Sequence, residues 1–73
     1  MQEYHINLFY SEEDEAWIAD VPDFLMCSGF GDTPQEALAE VLIAKQAIVE
    51  TMQEDGLSLP EPKYRPAIYQ IWT

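Results

Sequence analysis

Basic residues are scarce in this chain: Lys45, Lys63 and Arg65 stand against 14 aspartates and glutamates, for a formal net charge of -11. Nucleic-acid binding draws most of its affinity from phosphates neutralised by Lys and Arg, so this balance argues against any direct contact with DNA or RNA. Anionic membrane surfaces are disfavoured for the same reason. The charge fits a basic protein partner, because opposite charge speeds encounter and selects against wrong partners. A surface that is acidic only for solubility is the plain alternative.

Other shortages exclude other chemistry. Cys27 is the one cysteine, which rules out an internal disulfide and suits a reducing compartment. It has no base partner in sequence and acidic neighbours disfavour the thiolate, so it reads as a small buried hydrophobe. His5 is the single histidine and stands beside no second His or Cys, so a structural zinc site lacks ligands. We read it as a half-exposed strand residue. No segment approaches the ~20 apolar residues needed to span a bilayer. The N-terminal MQEYHINLF has neither a basic region nor a long apolar run, so no signal peptide is expected and the cytoplasm is the default location.

Glycine numbers only three, two of them in CSGFGDTPQEAL, Cys27 to Leu38. A glycine-rich turn opening a helix can hold phosphate. Here the fingerprint spacings and the following lysine are missing, and Asp32 places negative charge where the phosphate would sit. The stretch reads instead as a seam between strand and helix.

What the chain does have is apolar surface: 48% of its 73 residues, with nine aromatics. We expect one domain spanning residues 1–73. A single core of this size supplies ~3 to 5 kcal/mol, so the surplus is read as an interface, with a partner or with itself as a dimer or tetramer.

Tyr4, Ile6, Leu8 and Tyr10 alternate with His5, Asn7 and Phe9, the period of two of a first strand. Ser11 to Glu15, SEEDE, is the hairpin turn. Trp17, Ala19 and Val21 continue a second strand that ends where Pro22 removes a ladder donor. A third is expected around Met26 to Phe30. Thr33, Pro34 and Glu36 make a capping box that starts a helix, and Gly56 stops it, so the helix should run from about Pro34 to Asp55. Ala37, Leu38, Val41, Leu42, Ala44, Ile48, Val49 and Met52 form its apolar arc, with Glu36, Glu40, Glu50 and Glu54 opposite. Lys45 sits inside the arc, where its stem can pack and its amine reach an acid. Ile43 sits among the glutamates as a candidate contact with another chain. After the proline-rich LSLPEPKYRP, the closing AIYQIWT, apolar on both faces, reads as a final strand.

The acids of SEEDE lack the oxygen-ligand spacing and central glycine of a calcium loop. Two-metal catalysis needs carboxylates converging from separate elements; the first strand supplies none between Tyr4 and Tyr10, and nothing after Glu61 is acidic. We therefore expect no metal, no cofactor and no enzyme activity. The competing reading, a nuclease using the turn and a divalent metal, predicts an activity abolished by Asp14→Asn.

Taken together, Tyr4 to Tyr10, the acidic turn, AWIADVPD at Ala16 to Asp23, Cys27, GDTPQEA at Gly31 to Ala37 and DGLSLPEP at Asp55 to Pro62 resemble the HicB family of antitoxins, in particular its short members consisting of the N-terminal domain alone. The resemblance covers almost the whole chain in the family's order. It implies an α+β fold, three antiparallel strands, one long helix and a fourth C-terminal strand, described as partial ribonuclease-H-like and lacking the nuclease site. It also implies a non-catalytic role: binding and neutralising a small basic HicA-type toxin that cuts mRNA. The chain departs from the pattern at Leu25-Met26, where the family usually has Pro-Gly, so that loop should be shaped differently and more apolar. It also ends at Thr73 without the DNA-binding domain of longer members, so autoregulation on an operator is not expected. Partner contacts are placed on the acidic turn, Glu12, Glu13, Asp14 and Glu15, and on the loop residues Asp20, Pro22, Asp23 and Phe24. The alternative is a solitary homo-oligomeric HicB-like protein with no toxin.

Overall fold

The computed structural model describes residues 4–64. Their order is β1 (Asn7–Ser11), β2 (Ala16–Asp20), β3 (Ser28–Gly31) and α1 (Pro34–Glu54), with the three strands forming an antiparallel sheet in the order β1-β2-β3. The α+β class with one long helix stands as expected. The closing segment 67–73, expected as a fourth strand, lies outside the described residues.

The strand boundaries differ from the expectation by one to three residues: Ser11, expected in the turn, belongs to β1, β2 ends at Asp20 and not Val21, β3 ends at Gly31 and not Phe30, and two starts move for backbone reasons. The ladder between β1 and β2 begins at Asn7 and not at Tyr4: Val21 N–H faces β3 and bonds to the Cys27 carbonyl (3.0 Å), and the next residue that would face β1, Pro22, has no N–H to offer. β3 begins at Ser28 because Met26 is left-handed, with φ of 60°, and cannot lie in a strand.

The helix start is built as the capping box requires. Thr33 Oγ1 accepts from Glu36 N–H at 3.1 Å, and the Glu36 carboxylate reaches back to Asp32 N–H at 2.8 Å, one residue earlier than the standard box. At the other end Gly56, with φ of 71°, donates to the Gln53 carbonyl and Leu57 to the Met52 carbonyl. That pair of bonds is a Schellman stop.

The two glycines of the seam explain how the layers meet. A Cβ on Gly29 would clash with the backbone of Ala37 and Val41, and one on Gly31 with Glu36 and Ala37. Their absence lets α1 lie directly on β3. The buried core is Ala19, Val21, Phe24, Cys27, Ala37 and Val41, and its largest fully buried side chains are two valines, each worth ~1.5 to 3 kcal/mol. Tyr4, Ile6, Trp17, Ala44, Ile48, Val49 and Met52 pack around it.

α1 covers β3 and β2 and only brushes β1. Leu8 and Tyr10, on the helix side of β1, consequently stay 42% and 49% exposed, although the Tyr10 ring meets Trp17 edge-on at 5.5 Å. Beyond α1 the connector folds back to the head of β1. Tyr4 Oη donates to the Pro60 carbonyl, the Tyr64 ring lies 5.0 Å from that of His5, and Asp23 Oδ1 accepts from the N–H groups of Lys63 and Tyr64 at 3.1 and 3.0 Å.

Candidate partner-binding surface

The eight residues expected to contact a partner fall into two groups at opposite ends of β2. Four intervening steps of ~3.3 Å separate the ends of this five-residue strand. The sheet therefore holds the groups apart.

The first group is the β1–β2 turn, where Glu12, Glu13, Asp14 and Glu15 are all exposed. A polar run between two alternating stretches forms a turn because it has nothing to bury. This one is stiffened from within: Asp14 N–H donates to Ser11 Oγ at 3.2 Å, and Ser11 Oγ–H donates to the Asp14 carboxylate at 3.1 Å. Glu15 takes a left-handed φ of 51°, which returns the chain to β2. Four carboxylates are thus presented to solvent on a short, internally bonded hairpin. Such a patch attracts cations at range and steers a basic surface.

The second group is divided by burial. Asp20 ends β2 and is half-buried, as are Pro22 and Asp23. Asp23 is committed to the connector through Oδ1, while its Oδ2 is buried with no hydrogen-bond partner. Phe24 is 6% exposed, with its ring 4.7 Å from Tyr4 in an edge contact. Asp23 and Phe24 therefore hold the loop in place from beneath. The loop presents their neighbours instead: Leu25 and Met26 are 90% and 88% exposed. The signal for them was in the sequence, since both are apolar in a loop between strands, but only the fold shows that they point outward.

Of the other residues singled out, Ile43 is 65% exposed on the outer face of α1, beside a shallow depression that it lines with Leu42, Gln46, Ala47 and Glu50. His5 is half-buried, and its Nε2–H donates to Asn7 Oδ1 at 2.8 Å. Cys27 is buried, and burial above all pushes its thiol up from the ordinary value of 9.0; Lys45 pulls it down and Asp20 adds to the rise. Burial and then Asp23 raise Tyr4 from 10.0. Neither group is poised as a nucleophile near neutral pH.

Among the described residues no three His, Cys, Asp or Glu side chains are grouped so as to hold a metal ion, and no helix is long and apolar enough to cross a membrane. The site can therefore be described as surface: carboxylates at one end of the sheet, an apolar loop tip at the other. No protein-family model matches the chain, and neither the curated proteins nor the solved structures provide a match.

Proposed function

We propose that this protein is a non-catalytic binding module of the HicB antitoxin type that neutralises a small basic ribonuclease toxin. The observation that carries the proposal is the β1–β2 turn, four consecutive exposed acids on a stiff hairpin in a chain of net charge -11. An RNA-cutting enzyme must attract phosphate with Lys and Arg. An acidic binder competes for that same surface, with opposite charge raising the association rate. The motif resemblance from Tyr4 to Pro62 supplies the toxin class.

The test is association with the product of a neighbouring small basic open reading frame. We expect one-to-one chain binding and loss of RNA cleavage by the toxin. Replacing Glu12, Glu13, Asp14 and Glu15 by their amides should slow association ~10-fold or more, while leaving dissociation nearly unchanged. Intact RNA cleavage in the presence of excess protein removes the functional reading.

The same reading gives Ala67 to Thr73 as a fourth strand completing the partial ribonuclease-H-like arrangement. Its support is the arrival of Tyr64 beside His5, at the head of a β1 whose second edge pairs with no described strand. Slow hydrogen exchange at alternate amides between Ile68 and Trp72 is the expected outcome, and random-coil rates would remove the strand. A second reading, a solitary protein that only self-associates into a dimer or tetramer, is favoured by the apolar side chains left on the surface, Phe9, Phe30, Leu25 and Met26 among them. A genome neighbourhood without a small basic reading frame would select it.

A further inference from the structure

Asp23 bonds the β2–β3 loop to the connector with only half of its carboxylate. Oδ1 accepts from the N–H groups of Lys63 and Tyr64, at 3.1 and 3.0 Å, whereas Oδ2 is buried and accepts from nothing. Lys63 brings its backbone N–H to this carboxylate and no ammonium to Oδ2. A buried carboxylate oxygen ordinarily has a donor, and one without marks a position that a donor improves.

We propose that Asp23 is the seat of a guanidinium group from the basic partner, taken in exchange for the two connector amides, so that docking lifts the connector from the head of the sheet. The proposal rests on the binding role put forward above and adds the group recognised and the segment that moves.

The chemistry of the carboxylate selects the group. A guanidinium is planar and presents its N–H groups as a fork, so it bonds both carboxylate oxygens at once, which the point charge of an ammonium does not. The exchange gives Oδ2 the donor it lacks. It also strands nothing, because Lys63 and Tyr64 are exposed residues whose freed N–H groups pass to water. The chain's charge of -11, with Asp20 at the same end of β2, selects a basic molecule as the source.

The two sides of the latch differ in stiffness. No residue from Leu57 to Tyr64 is buried, and none lies in a helix or strand. Such a segment opens at far lower cost than the core beneath it. The loop is fixed instead: the Phe24 ring packs on Tyr4, and Phe24 N–H donates to the Val21 carbonyl at 3.1 Å. The carboxylate therefore stays in place when the connector leaves. Because Oδ2 is enclosed while the connector is seated, guanidinium entry and connector release are one equilibrium. By linkage, whatever loosens the connector tightens the seat.

Hydrogen exchange at the Lys63 and Tyr64 amides, read by NMR on the full chain, tests the inference with hexa-arginine and hexa-lysine peptides as probes. Hexa-arginine should speed both amides at least ~10-fold, and hexa-lysine at equal concentration far less. Asp23→Asn should abolish the response. Its amide oxygen still accepts from both N–H groups, so the connector stays closed, but it carries no charge for a guanidinium. Tyr4→Phe removes the bond to the Pro60 carbonyl and leaves Asp23 intact, so it should reach the half-effect at a several-fold lower arginine concentration. A carboxylate that only braces the loop would give none of these responses. Unchanged amides in the wild type, or an equal response to hexa-lysine or in Asp23→Asn, would overturn the seat. A toxin neutralised while both amides stay protected would also overturn it and leave the binding role standing. An arginine response with no toxin neutralised would do the reverse.

Discussion

Gly29 and Met26 show, at the scale of single residues, two opposite uses of backbone freedom. Gly29 is needed for space: any side chain there meets the backbone of α1. Gly29→Ala must push helix and sheet apart, so we expect a loss of ~2 to 3 kcal/mol in denaturant unfolding. An unchanged midpoint would mean that the layers slide freely. Met26 is the converse, a residue with a Cβ in a conformation that glycine takes without cost, and its side chain is 88% exposed. Met26→Gly removes few contacts and relieves a left-handed backbone, so thermal unfolding should move upward, by ~0.5 to 1 kcal/mol at the midpoint. Cys27 and Tyr4 set a third expectation. Both are raised in the folded chain, so the unfolded chain loses their protons first. Their contribution is complete below about 9 and falls as pH rises past the ordinary values of 9.0 and 10.0 toward the folded ones. Unfolding monitored from pH 8 to 11 should show stability declining along that limb.

Among the elements, α1 depends on its ends and the connector on side chains at the head of the sheet, Tyr4, His5 and Asp23. Thr33 holds the first turn through Oγ1, and Thr33→Ala should cost about 1 kcal/mol. Circular dichroism should show the loss as a lower melting temperature with the helix content of the folded state retained. The connector Leu57 to Tyr64 has no repeating hydrogen-bond pattern of its own. Asp23, reaching 41 residues along the chain to Tyr64, fastens it to the β2–β3 loop. Asp23→Ala frees both N–H groups to water and also removes a buried carboxylate oxygen that has no partner, so the net loss should be small, about 1 kcal/mol. The larger effect is local. Proteolysis between Leu59 and Tyr64 should speed up well before global unfolding does.

For the whole molecule, the acidic surface and the thin core act together. Self-repulsion at a net charge of -11 weakens the compact state, and added salt screens it. The melting temperature should therefore rise from low to moderate ionic strength, and binding to a basic partner should weaken over the same range. The sequence alone determined which elements form and in what order, though not where the strands begin and end: the alternation around β1 and β2, the capping box at Thr33 and the stop at Gly56 are local patterns, written in the residues that form them. It also determined the bias of charge and the shortage of ligands for a metal. Only the tertiary structure decided which candidates can meet a partner. Phe24 and Leu25 are adjacent and both apolar, yet one is 6% and the other 90% exposed, because the loop must bury one side chain against Tyr4 and turn the next away. The row that Phe9, Ile18 and Phe30 form across the outer face of the sheet was likewise hidden in sequence. Its members lie on three separate strands, and alternation marks which residues share a face of one strand, whereas register and the placement of α1 decide which face the helix leaves bare.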